Sequence, residues 1–428
     1  MSCNWSLVKL TDVACIITKK IDANQITKDC YISTENMQPY KRGVSSAGSL
    51  PSAAKFNSFR SGDTLFSNIR TYFEKVWLAS FSGGASADVL IFRTKDESVL
   101  LSEYLYHFLS SPEFIEFTVR TSKGAKMPRG DKGAMMDFEF KLPPVEIQKI
   151  IACSLQGLER KVRLNSQTNQ TLEQMAQAIF KSWFVDFDPV KAKMNGEQPE
   201  GMDAVTASLF PEKLVESELG LIPEGWEVGT LDSHTSMIID HRGKTPKKLG
   251  SDWVEEGYPA ISAKNIKSKK IVRPDTIRFI DEVTYKKWMK EPLINGDIIM
   301  TSEAPMGELY FFDGSQDFCL SQRLYGLRAN SDVCSPEFLF NWLQTTKAKS
   351  DMEGRASGTT ALGIKQAELR KVKILTPPRE LLEKYSVVAS NLVDMAAKNN
   401  AQNTILEDLR DTLLPKLLSG EIELKASA

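Results

Sequence analysis

Two stretches of the chain place their apolar residues at alternating intervals of four and three positions, a spacing typical of helices that pair with other helices. The first stretch covers residues 151–183, and the second covers residues 385–417, 234 positions later. Each follows a pair of prolines, and proline is tolerated at a helix start but disfavours helix in the residue before it. The pattern therefore predicts two long helices, over 144–186 and 378–420.

Both predicted helices carry two asparagines among the apolar positions of the seam. A buried amide without a partner is costly, so amides at matching positions favour helices that pair with each other. Antiparallel pairing would place Asn165 near Asn403 and Asn169 near Asn399. The alternative is that each helix packs only on its own domain, which is the commoner reason for an apolar stripe.

The remainder of the chain is repeated at the same spacing. Residues 62–63, 103–109 and 143–144 all have counterparts 234 positions later, and residues 32–37 have counterparts 229 positions later. So many matches in one order indicate a duplicated domain, with small loop insertions explaining the change of offset.

Each half combines short strand-like runs with one helix ahead of the long helix. The fold class predicted is α+β, with two repeated α/β domains, each followed by a long helix, and with the helices forming an antiparallel coiled coil of pseudo-twofold symmetry. The expected segments are a first α/β domain at 1–143, a first long helix at 144–186, a linker at 187–225, a second α/β domain at 226–377, a second long helix at 378–420 and a tail at 421–428.

Composition narrows the class of protein. The 428 residues are 42% hydrophobic and 25% charged, as in ordinary globular proteins. The sequence contains no apolar run near the ~20 residues that cross a bilayer, and its first residues do not resemble an export signal. The six cysteines and three histidines lack the spacing of a zinc site. We therefore expect a cytoplasmic protein with reduced thiols, without a membrane partner and without a bound metal.

Motifs for catalysis are missing from the sequence. Gly243-Lys244-Thr245 resembles the end of a phosphate-binding loop, but Ile238 stands where the first glycine of that motif belongs. Amino-methyltransferase, dinucleotide-binding and nucleophile motifs are also absent. A nucleic-acid enzyme with a dispersed carboxylate site remains one alternative. We expect the isolated chain to be non-catalytic and to bind no cofactor.

Charge, which nearly balances over the whole chain, is locally segregated. Residues 241–290 contain thirteen lysines and arginines against six acidic residues, and residues 120–132 contain five against one. Such basic segments either contact nucleic-acid phosphates or form a solvated face. The predicted DNA contacts are Lys41, Arg42, Arg70, Lys123, Lys126, Arg129, Arg242, Lys244, Thr245, Lys264, Asn265, Lys267, Lys269, Lys270, Arg355, Ser357, Thr359, Thr360 and Lys365.

Several stretches resemble the specificity subunit of type I restriction-modification systems. The most specific are residues 178–193, which read AIFKSWFVDFDPVKAK, residues 218–226, which read ELGLIPEGW, and residues 413–422, which read LLPKLLSGEI. Arg242-Gly243-Lys244-Thr245-Pro246 also resembles the start of the family's recognition domain. The first half departs from the family in having no Gly-x-Thr-Pro counterpart.

The resemblance implies two target-recognition domains, each of which reads one half of a split target in double-stranded DNA. It also implies methylation subunits, expected to number two, that modify adenine with S-adenosylmethionine, and restriction subunits that use ATP and Mg²⁺. The chain would then be the non-catalytic subunit of an adenine-specific methyltransferase and restriction endonuclease complex. The principal alternative is a duplicated protein-interaction scaffold that does not recognise a DNA sequence.

Overall fold

A computed structural model of the chain describes residues 5–358, 362–422 and 424. These residues form two compact units, one made of 1–166 with 400–428 and the other of 167–399. Each unit contains one α/β domain and one part of each long helix. The fold class predicted from the sequence is confirmed.

Unit 1 contains ten short strands arranged in three sheets. A mainly antiparallel four-stranded sheet has the order β3-β5-β8-β4, a fully antiparallel one has the order β2-β9-β6-β7, and β1 pairs with β10. The strands are β1 (Ser6–Lys9), β2 (Ala14–Ile16), β3 (Lys20–Asp22), β4 (Tyr31–Ile32), β5 (Lys55–Phe59), β6 (Thr64–Ser67), β7 (Val76–Leu78), β8 (Gly83–Ala85), β9 (Val89–Thr94) and β10 (Glu139–Leu142).

Helices pack on one face of the β2-β9-β6-β7 sheet, where Phe66 and Phe92 share their core. They are α1 (Leu10–Val13), α2 (Ser102–Leu109), α3 (Pro112–Arg120), α4 (Lys132–Met136) and the 40-residue α5 (Val145–Phe184). Tyr104 and Leu109 of α2 share a buried core with Ile151 and Leu155 of α5. The core of unit 1 thus joins its α/β domain to the long helix.

Unit 2 repeats this plan. Its four-stranded antiparallel sheet has the order β14-β22-β19-β20, a three-stranded sheet has the order β18-β15-β21, and β13 pairs with β23. Its elements are α6 (Asp188–Met194), α7 (Ala204–Ser208), β11 (Leu214–Ser217), β12 (Gly220–Pro223), β13 (Glu227–Thr230), α8 (Leu231–His234), β14 (Thr235–Asp240), β15 (Tyr258–Ile261), β16 (Ile266–Lys267), β17 (Lys270–Ile271), β18 (Arg278–Ile280), α9 (Glu282–Trp288), β19 (Ile298–Thr301), β20 (Leu309–Phe311), β21 (Cys319–Leu320), β22 (Leu324–Ala329), α10 (Pro336–Trp342), α11 (Thr346–Arg355), α12 (Gln366–Leu369), β23 (Lys373–Thr376) and the 41-residue α13 (Arg379–Ser419).

The segment expected to be a linker, 187–225, is folded. It forms α6, α7 and the β11–β12 hairpin, and it buries Val190, Phe210 and Ile222 in the core that also contains Phe184. Its proline and glycine content suggested irregular structure, but the apolar residues between them bring the segment into the core of unit 2.

The long helices pair antiparallel in each unit, and amides bridge them. In unit 1, Asn165 Nδ2 donates to Asn403 Oδ1 over 2.9 Å and to Gln402 Oε1 over 2.8 Å. In unit 2, Asn399 Nδ2 donates to Asn169 Oδ1 over 2.8 Å. Asn165 is 2% exposed, so this hydrogen bond satisfies an amide that would otherwise be buried without a partner.

Candidate nucleic-acid interface

A cleft of about 690 Å³ opens in unit 2. Its walls come from the loop before β15, from the turn after β15 and from the loop that follows β21. Five cations line it against the single carboxylate of Asp252, and they are Lys244, Lys247, Lys264, Arg278 and Arg323. A concave surface with this charge excess suits an anionic ligand that also carries flat polar rings, such as nucleic acid.

Packing fixes part of the cleft wall. The Arg278 guanidinium carbon lies 3.8 Å from the ring centroid of Trp253, a cation–π contact that keeps both side chains in place. Lys244 Nζ donates to the Trp288 backbone carbonyl over 2.9 Å. Burial, with the nearby charge of Lys290, lowers the pKa of Lys244. The wall is therefore held in place by contacts within the protein.

The neighbouring predicted residues Arg242 and Thr245 are tied to the protein. Arg242 donates to both carboxylate oxygens of Asp240, over 2.8 and 2.7 Å, and its guanidinium carbon lies 4.4 Å from the Tyr325 ring centroid. Thr245 Oγ1 accepts from the Lys248 backbone amide over 3.4 Å. Arg242 is more constrained than a basic residue on an open loop would be.

Two predicted contacts in unit 2 have structural roles instead. Asn265 is fully buried, and its side-chain oxygen accepts from the Ser262 backbone amide while its Nδ2 donates to the Val272 and Arg273 carbonyls. Lys269 forms an ion pair with Glu173 of α5. We therefore omit the buried Asn265 from the proposed DNA contacts and rank Lys269, which is partly exposed, below Lys264, Lys267 and Lys270, which are exposed.

In unit 1, Lys41 makes the contact that corresponds to the Lys269 contact of unit 2. The Lys41 side chain is only 6% exposed, and its Nζ lies 3.0 Å from Glu74 Oε2 and 3.9 Å from Asp411 Oδ1 of α13. In both units a lysine in the left-handed region, with φ of 62° at Lys41 and 63° at Lys269, faces a long helix. The sequence prediction made Lys41 a DNA contact, and in the structure its side chain joins the α/β domain to α13. Arg42 and Arg70 are exposed.

The basic loop of unit 1 is exposed at all three of its predicted contacts. Lys123 Nζ lies 2.5 Å from Asp131 Oδ2, and Arg129 Nη2 lies 2.9 Å from Asp88 Oδ1. Lys126 is exposed at the tip. These surface ion pairs are weak and can exchange for phosphate contacts.

The corresponding loop of unit 2 starts at Arg355, whose Nε donates to Asp351 Oδ1 over 2.8 Å. Ser357 exchanges backbone hydrogen bonds with Gly363, and Lys365 is exposed. Thr359 and Thr360, also predicted as contacts, lie outside the described residues.

A family model for the type I restriction modification DNA specificity domain matches residues 3–174 and, again, residues 223–401. The chain belongs to this family. It is a DNA sequence-specificity subunit, and the two matches correspond to the two halves of the duplication.

Individual relatives agree. The HindI type I specificity subunit of Haemophilus influenzae is 27% identical over 469 residues, which cover 98% of this chain and 100% of that protein. The MjaIX specificity subunit of Methanocaldococcus jannaschii is 23% identical over 76% of this chain and 70% of that protein. The crystal structure of a type I S subunit from M. genitalium shares the fold, with a TM-score of 0.56 at 15% identity over 97% of this chain and 96% of that one.

The sequence prediction did not name several residues that line this specificity subunit's cleft. Among them are Lys247, Trp253, Arg278, Gln322 and Arg323. Arg278 lies within the basic segment, so its charge was a usable signal. Gln322 and Arg323 follow β21, more than thirty residues beyond that segment, and only the parallel pairing of β15 with β21 brings them to the cleft.

Two findings concern ligands and membranes. No helix within the described part of the chain has both the length and the apolar character needed to cross a bilayer. Among the same residues, no group of three or more His, Cys, Asp or Glu side chains could hold a metal ion.

Proposed function

We propose that each recognition domain of this specificity subunit reads one half of a bipartite target in double-stranded DNA. The cationic cleft of unit 2 is the observation that carries the proposal, because it combines phosphate-binding charges with polar side chains able to contact base edges. The exposed basic loop of unit 1, with Lys123, Lys126 and Arg129, supplies phosphate contacts for the other half.

Partner subunits supply the chemistry in this proposal. Two methylation subunits bind S-adenosylmethionine and modify adenine, restriction subunits use ATP and Mg²⁺, and this chain binds none of these cofactors. The complex acts on DNA in the cytoplasm. Partners dock on the long helices, which expose apolar side chains in both units: Leu164 is 54% and Ile405 67% exposed in unit 1, and Met175 is 48% and Met395 50% exposed in unit 2.

Mapping of methylated adenines in genomic DNA tests the proposal. Cells with the gene for this chain and the gene for its methylation subunit should carry methylation at a motif of two specified blocks separated by unspecified bases. Cells with the methylation subunit alone should lack that motif. A contiguous motif, or the same motif without this chain, would contradict the proposal, and methylation by the purified single chain would contradict the assignment of chemistry to partners.

A further inference from the structure

The two units share a structural frame that allows a position-by-position comparison. Asp63 pairs with Arg93 over 2.6 Å in unit 1, and Asp297 pairs with Arg328 over 2.8 Å in unit 2. Each aspartate also accepts a backbone amide three residues before it, over 2.7 and 2.9 Å. The two halves of the chain thus keep the same ion pair, with a buried aspartate, at the same place in the fold.

The frame extends to the loops near the cleft. In unit 1, β4 pairs in parallel with β8, and the Ser86 amide donates to the Ile32 carbonyl over 2.8 Å. In unit 2, β15 pairs in parallel with β21, and the Ser321 amide donates to the Ile261 carbonyl over 2.8 Å. These contacts align the loop after β8 with the loop after β21.

A buried asparagine fixes the adjoining turn in both units. Asn36 Oδ1 accepts from the Ser33 amide over 2.6 Å, and Asn265 Oδ1 accepts from the Ser262 amide over 3.1 Å. The residue just before each asparagine projects from the same kind of turn, so Glu35 corresponds to Lys264.

On this common frame three loop positions, here called the tip positions, differ in chemistry. Glu35 is replaced by Lys264, Ala87 by Gln322 and Asp88 by Arg323, so two carboxylates in unit 1 become two cations in unit 2. Burial, together with the charges of Glu35 and Asp88, raises the pKa of Tyr31, which shows that both carboxylates lie near that phenol. In unit 2 the three counterparts line the cleft together.

The ion pairs at the tips are reversed as well. Asp88 accepts from Arg129 in unit 1, whereas Arg323 donates to Glu303 over 3.2 Å in unit 2. Residues 69 and 129 form a β-bridge, as do their counterparts 303 and 363, so the reversal occurs at one place in the frame.

We propose that the three paired tip positions, 35 with 264, 87 with 322 and 88 with 323, determine which bases each unit reads. The inference rests on the proposed function. Arginine and lysine donate to guanine O6 and N7, glutamine pairs with adenine, and carboxylates accept from the cytosine amino group. Unit 2 therefore reads purines through Lys264, Gln322 and Arg323, and unit 1 reads cytosine amino groups through Glu35 and Asp88.

Tip exchange tests the inference. The triple variant Lys264→Glu, Gln322→Ala and Arg323→Asp, expressed with the methylation subunit, should keep the first half-site and alter the second. The single variant Arg323→Asn should relax one G·C position of the second half-site by about 10- to 100-fold. Asparagine is chosen because Arg323 has a φ of 64°, which asparagine tolerates better than most residues.

A matched control separates base reading from charge loss. Lys287→Ala removes an exposed lysine of α9 outside the cleft and should leave both half-sites unchanged. Unchanged base preference in the tip variants, or an equal loss of affinity for every sequence, would overturn the inference. A wild-type chain that directs no bipartite methylation would instead overturn the proposed function, so the two failures are distinguishable.

Discussion

The two recognition domains meet the long helices through the same elements but with different chemistry. In unit 1, α2 presents Tyr106 and His107, and in unit 2, α10 presents Phe340 and Asn341 at the corresponding positions. The first contact buries ionisable groups, and the second buries aromatic rings around a neutral hydrogen bond.

In unit 1, His107 Nδ1 lies 4.0 Å from Glu159 Oε1, and the Tyr106 hydroxyl donates to the same carboxylate oxygen over 3.3 Å. Burial, reinforced by the charge of Lys41, lowers the pKa of His107 to about 3. Burial raises the pKa of Glu159, although the charges of Arg410 and Lys41 act in the opposite direction.

In unit 2, Asn341 Nδ2 donates to the Tyr385 hydroxyl over 2.9 Å, and the Tyr385 ring packs edge-on against Phe184 with centroids 5.1 Å apart. The comparison shows that the apolar pattern fixes which elements meet. The polar residues within that pattern decide whether the contact depends on charge.

The largest expected difference in stability between the two units follows from Arg410, whose side chain is 13% exposed. Arg410→Met should lower the free energy of unfolding by about 3 kcal/mol, because it removes the charge that favours the ionised form of Glu159, whose side chain is 18% exposed. Arg379→Met removes an arginine that is 71% exposed and paired with Glu383, and should cost under about 1 kcal/mol. Urea denaturation measures both, with hydrogen exchange in α2 and α10 reporting on each unit. Equal costs for the two variants would show that Arg410 does not stabilise the Glu159 carboxylate.

Burial of His107 should make the stability of unit 1 depend on pH. Unfolded histidine titrates near pH 6.5, whereas folded His107 titrates near 3, so below pH 6.5 the unfolded chain binds the extra proton and stability falls as pH falls. The loss amounts to about 2 kcal/mol at pH 5. His107→Asn, which introduces the residue found at position 341, should remove this part of the pH dependence. Identical slopes for variant and wild type between pH 6.5 and 5 would show that His107 does not resist protonation.

The paired asparagines of unit 1, Asn165 and Asn403, should depend on each other for stability. Asn165→Leu leaves the Asn403 amide without its partner and should cost about 1–2 kcal/mol. The double variant Asn165→Leu with Asn403→Leu should recover most of that loss, because both amides are removed together. Thermal unfolding of the two variants and of wild type measures the recovery. Additive losses would mean that the two amides do not act as a pair.

The smallest expected effect on stability is that of Lys269→Met, within about 1 kcal/mol, because both partners of its ion pair with Glu173 are partly exposed. The same variant should barely alter the salt dependence of DNA binding. Replacing Lys267 and Lys270 by glutamine should lower the log–log salt slope by up to about two units. Binding titrations of the assembled complex at several salt concentrations separate the two roles. A large change in the salt slope of DNA binding for Lys269→Met would show that Lys269 contacts DNA.

Sequence patterns predicted the long helices and their pairing because heptad spacing and matched amides are local signals. The repeat in the sequence likewise predicted that α2 and α10 are equivalent. Charge counting could not distinguish Lys267, which is exposed, from Lys269, which forms an ion pair with Glu173 of α5. Burial depends on which elements meet in three dimensions, and a basic segment does not encode that.

Asn265 illustrates a second limit. Asn265 was predicted as a DNA contact, but its side chain caps the turn it belongs to. The same turn in unit 1 contains Asn36, so comparing the repeats would have indicated a structural role. Residues kept in both repeats build the frame, and residues that change on it are the better candidates for specificity.

The most direct test of the account lengthens both long helices by one heptad. It asks whether each unit reads its half-site independently and whether the long helices set the length of the spacer. Seven residues inserted after Ser166 and seven after Asn399 enter both helices at the boundary of the units, between the two amide pairs, so the seams are preserved. The added helix is about 10.5 Å long, equivalent to roughly three base pairs. Methylation mapping should then show both half-site sequences unchanged and the spacer about three base pairs longer. An unchanged spacer in a folded, active variant would contradict the account.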